Sequence, residues 1–221
     1  MAEETTFLVK NCALISIATG RKAGTLNELR HNLQVVPSDC IYHHFWGGLL
    51  VPRFEEREFN NDFAGWMRHS LMDPILAERT AAIDPAATRN LEELRQDLLD
   101  LIEERLSESE TVGWLRANRQ FEFLRSQLVV FDSAQRLREP ADLAELVPQM
   151  STSTIFYHFI DARRRLEQCC DDFTYWLMGY EDQYLDLCEQ LAAIDPFFSS
   201  LSQVRADLAI LFNDYFGGGS E

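Results

Sequence analysis

Basic residues are scarce in this chain. Twenty Lys and Arg stand against 36 Asp and Glu, a formal net charge of −16, and the acids are spread along all 221 residues. A nucleic-acid backbone is bound by clustered cations that release counterions, and an anionic membrane surface asks for the same. The densest basic stretch, Arg163-Arg164-Arg165, is followed at once by Glu167, Asp171 and Asp172. The composition therefore argues against nucleic-acid and membrane partners. Long apolar runs are missing too: the longest near the N-terminus, Cys12 to Ala18 with one Ser, is too short to span a bilayer and has no basic start of the kind a secretion signal carries.

Paired cysteine spacing is also absent. The five cysteines, Cys12, Cys40, Cys169, Cys170 and Cys188, are odd in number with no C-x-x-C among them. That suits neither a disulfide framework nor a zinc site, and they read as small buried hydrophobes in a reducing, cytoplasmic setting. No G-x-G-x-x-G, Walker A, G-x-S-x-G or H-E-x-x-H occurs, which removes the readily recognised nucleotide, hydrolase and zincin classes and calls for no cofactor. What is present is 46% hydrophobic and 11% aromatic residues, enough for a substantial core.

The strongest positive signal is internal similarity. Asp62-Phe63 precedes Trp66 as Asp172-Phe173 precedes Trp176, an offset of 110, and Ala-Ala-Ile-Asp-Pro occurs at 81–85 and again at 192–196, an offset of 111. Tyr42-His43 recurs as Tyr157-His158. Start signals for helices are frequent: Thr25 with Glu28, Asn90 with Glu93 and Ser200 with Gln203 have capping-box spacing, Asp73-Pro74 and Glu139-Pro140 place proline at a first helical position, and Ser151 or Ser153 can cap the helix carrying Tyr157 and His158. The sequence is therefore read as all-α, a tandem duplication of a roughly six-helix unit packed about a pseudo-two-fold axis. The divisions are 1–110 and 111–216, with 217–221 a flexible Gly-rich tail. The Gly- and Asn-punctuated stretch from Gly47 to Asn61 is a loop that distinguishes the halves.

The residues singled out for function are Tyr42, His43, Asp62 and Trp66, with Tyr157, His158, Asp172 and Trp176. Asp62 and Trp66 are four apart on one helix face and point together towards the helix of His43. A His43–Asp62 hydrogen bond would fix an imidazole tautomer for proton transfer, with Tyr as a second donor and Trp as a stacking wall. The plainer and preferred reading is structural, an Asp that caps its helix while locking a half-buried His. A metal set of His43, Asp62 and His69 is weaker, since His44 faces away and only one His and one Asp recur in each half. Asp84 and Asp195, each before Pro, are turn residues, and Arg95 with Asp97 and Arg205 with Asp207 read as ion pairs.

Leu26 to Pro37, Ile41-Tyr42-His43, Asn61-Asp62-Phe63 with Trp66, and Leu76-Ala77-Glu78 with Ile83-Asp84 together resemble an uncharacterised family of bacterial helical domains, whose order is Ser-x-Tyr-Tyr-His, Asn-Asp-Phe-x-x-Trp and Leu-x-x-Arg-x-x-x-Ile-Asp. Ile41 replaces the first Tyr, and Asp171 stands where the second half would carry Asn. The resemblance supports the helical reading and transfers no activity. The expectation is thus a cytoplasmic, acidic, non-enzymatic module binding a protein partner or small ligand, with a hydrolase-like or metal-assisted enzyme using Tyr-His-Asp as the alternative.

Overall fold

The computed structural model describes residues 6–51, 58–88, 90–109, 111–197 and 199–217. It overturns the all-α expectation. Two 17-residue strands, β1 (Phe7–Ala23) and β2 (Phe121–Leu137), pair in a two-stranded sheet. They are antiparallel: Ser133 Oγ donates to Val9 O and Thr19 Oγ1 to Phe123 O, so the partner number falls as β1 advances. The physical reason they escaped notice lies in their burial. Phe7 and Val9, like Phe121 and Phe123, alternate inward with exposed neighbours, but the remainder of each strand is largely solvated and never sustains the period-two pattern.

Nor does the chain resolve into a tandem pair of six-helix units. One compact unit is Leu14–Gln127; the other joins Met1–Ala13 to Leu128–Glu221, so each contains part of both strands. The first unit contains helices α1 (Leu26–Leu33), α2 (Ser38–Trp46), α3 (Asp62–His69), α4 (Pro74–Ala81) and α5 (Leu91–Glu108). The second contains α6 (Asp142–Leu146), α7 (Thr152–Ile155), a π-helical turn (Phe156–Asp161), α8 (Ala162–Arg165), α9 (Asp172–Leu177), α10 (Leu185–Ala192) and α11 (Leu201–Gly217). Gly217 ends α11, and the rest of the expected tail lies outside the described residues, as does part of the expected loop between Gly47 and Asn61.

Capping explains why the helices begin where they do. Thr25 accepts from Glu28 N while Glu28 reaches back to Gly24 N, and Asn90 accepts from the amides of Glu92 and Glu93. Asp73 accepts from Leu76 N with Pro74 in the first turn, and Ser151 accepts from Thr154 N. Pro140, by contrast, sits before α6, not inside it. Asp84 and Asp195 accept from the amides two residues on, at 2.8 Å each, as turn residues do.

The arginines expected in ion pairs with Asp97 and Asp207 have another task. Arg95 on α5 is buried and donates to the carbonyls of Leu33 and Val36 at the end of α1, and Arg205 on α11 donates to Met150 O at 2.9 Å. Each satisfies carbonyls that a helix end or turn leaves without partners. The cysteines divide as well: Cys12 and Cys40 are buried, whereas Cys169 is exposed and Cys170 and Cys188 are half-buried.

Candidate functional site: two histidine clasps and an open cleft

Residues 43 and 44 are about 100° apart on α2, as a 3.6-residue turn requires, so their imidazoles leave in different directions. His44, the one set aside on sequence grounds, is the partner of Asp62: its Nδ1 lies 3.0 Å from Asp62 Oδ2, and its Nε2 accepts the backbone N–H of Leu124 on β2 at 3.1 Å. An amide donor at Nε2 requires the lone pair there, so the proton sits on Nδ1 and is given to the carboxylate. His158 repeats this in the other unit, with Nε2 accepting from Lys10 N on β1 at 2.8 Å and Nδ1 held 2.7 Å from Asp172 Oδ2. Each imidazole clasps a strand to a helix, and both ring nitrogens are consumed in doing so.

The Asp residues do not cap their helices. That role belongs to the residue before each, Asn61 accepting from Ala64 N and Asp171 from Thr174 N, both at 2.9 Å. Asp171 keeps the capping chemistry of the Asn it replaces. The Phe of each motif packs on the strand: Phe63 stacks on Phe121 with centroids 5.0 Å apart, Phe173 on Phe7 at 5.4 Å. Trp66 and Trp176 close the same clusters, against Phe121 at 5.8 Å and Phe7 at 5.2 Å, and Trp66 Nε1 donates to Arg119 O.

His43, the candidate base, is placed elsewhere. Its Nδ1 is 2.6 Å from Ser126 Oγ on β2, and both side chains are buried. Burial, reinforced by neighbouring His44 and opposed by Asp62, lowers its pKa to about 4. Gly47 permits this packing, because a Cβ there would lie only 3.0 Å from His43 Nδ1. Tyr42 is buried and stacked on Trp46 with centroids 5.3 Å apart. His69 is remote in role, an exposed ring 2.7 Å from Glu58 Oε2. Ligand atoms of His43, His44 and Asp62 do lie within 4.8 Å of one another. A cation on His44 Nδ1 would have to displace the proton that the Leu124 amide fixes there, so the donor set suits a hydrogen-bonded clasp better than a metal centre.

Tyr157, His158, Asp172 and Trp176 all line one cleft of about 540 Å³, together with residues that sequence reasoning missed, chiefly Phe7, Lys10 and Arg165. The guanidinium of Arg165 lies 4.4 Å from the Tyr157 ring centroid, donates to Asp172 Oδ2 at 2.8 Å, and comes within 3.5 Å of buried Asp161. Burial raises the Tyr157 hydroxyl's pKa against the pull of Arg165. The π-helical turn over Phe156–Asp161 carries Tyr157 and His158, and such one-turn insertions are frequent at functional sites. Arg165 could have been found as the end of the basic run that interrupts an acidic sequence; it served only to exclude nucleic acid.

A family model described as a family of unknown function (DUF5752) matches residues 4–213. The chain belongs to that family. The match is one continuous stretch and not two tandem copies, and the family's description carries no bacterial source, so the resemblance drawn from the motifs holds in its coarser form. No curated protein matches the chain. Among solved structures the chain is similar to OrfY from Thermoproteus tenax, at 24% identity over 95% of both chains with a TM-score of 0.83, a likeness of fold. No described helix is long and apolar enough to cross a membrane.

Proposed function

We propose that this chain is a non-enzymatic module that binds a small ligand in the cleft formed by Tyr157, His158, Asp172 and Trp176. The observation that carries this reading is the cleft itself, whose volume of about 540 Å³ falls in the range of small-molecule sites and whose wall mixes aromatic rings with a few fixed polar groups. Proton-transfer chemistry has little support: His44 and His158 spend both nitrogens on the clasps, and His43 is buried against Ser126 instead of meeting Asp62. Five free thiols, one of them exposed, support a reducing, cytoplasmic setting.

Screening a metabolite library by ligand-observed NMR tests the proposal. Tyr175 and Met178 are exposed on the cleft wall, so Tyr175→Ala and Met178→Glu alter the site without opening the core. Hits weakened at least fivefold by both variants support the cleft. Hits indifferent to both, or no hit at all, overturn it.

A further inference from the structure

The cleft's charges say what kind of ligand it takes. Arg165 is held from three sides, by Asp172, by Asp161 and by the face of Tyr157, so its orientation is set before anything binds. Its Nη2 donates to Asp172 Oδ2 and Tyr157 O and its Nε lies 3.5 Å from Asp161 Oδ2, whereas Nη1 makes no hydrogen bond or ion pair among the described residues. Lys10 lends its backbone N–H to His158, lines the same cleft, and has no ion pair among the described residues. Asp132 senses the Lys10 charge but is itself held by Arg136 at 2.7 Å.

Among the described residues that line the wall, Lys10 and Arg165 stand against Asp172. One positive charge is left over, in a chain whose total is −16. A locally cationic hollow attracts anions even on a chain of net negative charge, because the charges that line it act at short range while distant exposed ones are screened. The rest of the wall is not built for a bare inorganic ion. Tyr175, Met178 and Leu8 are each about half exposed around the opening, over a floor of Phe7 and Trp176. A ring and a thioether are surfaces on which a flat apolar body stacks, Met adapting to its outline.

We infer that the cleft binds a planar organic anion, its charged group on Lys10 and the free edge of Arg165 and its ring against Tyr175 and Met178. This rests on the cleft being the binding site and adds the ligand's class. A matched pair of probes, 2-naphthoate and its neutral amide 2-naphthamide, separates the two claims when titrated into the full-length protein by calorimetry. The expected result is naphthoate binding at least tenfold tighter than naphthamide. Lys10→Met is expected to remove at least fivefold of that preference, and Lys10→Arg to restore it, with circular dichroism unchanged in both. Equal affinities for the two probes, both weakened by Met178→Glu, would leave the cleft standing and overturn the anion assignment. So would a preference that survives Lys10→Met. Binding of neither probe at millimolar concentration overturns both readings.

Discussion

His44 and His158 are held by the same four-part arrangement: strand amide, Nε2, Nδ1–H, carboxylate. Their surroundings differ. The residue before His44 is His43, turned inward onto Ser126; the residue before His158 is Tyr157, with Arg165 stacked on its face beside an open cleft. The carboxylate of Asp62 has about a third of its side chain exposed, whereas that of Asp172 is 13% exposed and shared with Arg165. A feature present in both regions is the better candidate for scaffold, and a feature present in one is the better candidate for function. By that criterion the histidine–aspartate pairs and the Phe–Trp clusters beside them belong to the fold, and Lys10 and Arg165 are the better candidates for the proposed site.

The comparison is broken most directly by removing the imidazoles. His44→Leu and His158→Leu each leave a strand amide without its acceptor and a carboxylate without its donor. A buried amide left without a partner costs about 1–3 kcal/mol, and the lost charge-assisted bond adds to it. Each variant is expected to lose about 2–4 kcal/mol in urea unfolding, His158→Leu more, since its bonds are shorter and its Asp is better sealed. If either variant unfolds at the wild-type midpoint, the two clasps are not equivalent and that one is not structural.

How far the sequence could show this depends on the kind of signal. Caps and turns were legible because Thr25, Asn90, Ser151, Asp84 and Asp195 act through bonds to amides two or three residues away. The Asp-Phe-x-x-Trp motif was legible as a recurrence with Asp62 and Trp66 on one helix face, but the packing of Phe63 on Phe121 and Phe173 on Phe7 was not, because both partners lie on strands distant in sequence. The choice of histidine was not. Matching Tyr42-His43 to Tyr157-His158 selects the wrong ring, whereas His44-Phe45 and His158-Phe159, each ending in a buried Phe, select the right one. The strands were hidden because their burial is confined to a few positions, and a two-stranded sheet leaves most of its surface to water. Lys10 and Arg165 were invisible as a pair, since only the fold brings them to one wall.

A second way to sharpen the comparison uses acid. His43 has its pKa lowered from 6.5 to about 4 by burial and by His44, whereas Tyr157, at the matching place before the clasp, does not titrate in that range. Above pH 6.5 His43 is neutral in both folded and unfolded chains and contributes nothing. Between 6.5 and 4 the unfolded chain takes up the proton and the folded one does not, so stability falls as the pH falls, by at most about 1.4 kcal/mol per unit. His43→Gln keeps a hydrogen-bonding group near Ser126 and removes the titration. The difference between wild type and variant is expected to change by about 2–3 kcal/mol from pH 7 to pH 4, and a pH-independent difference would show that His43 is not sealed.

The finest test concerns the two carboxylates. Asp172→Asn and Asp62→Asn both keep an oxygen able to accept from the imidazole Nδ1–H, so each deletes charge and spares the clasp. At Asp62, a third exposed, solvent already screens the charge, and the expected loss is under about 0.5 kcal/mol. At Asp172 the charge faces the Arg165 guanidinium at 2.8 Å in a better sealed place, and the expected loss is about 1–2 kcal/mol. Pairing Asp172→Asn with Arg165→Met in a double-mutant cycle isolates that interaction, with an expected coupling of about 1 kcal/mol. Equal losses at the two aspartates, or a coupling near zero, would mean that Arg165 is positioned by Tyr157 and Asp161 alone and that the asymmetry between the clasps carries no energy.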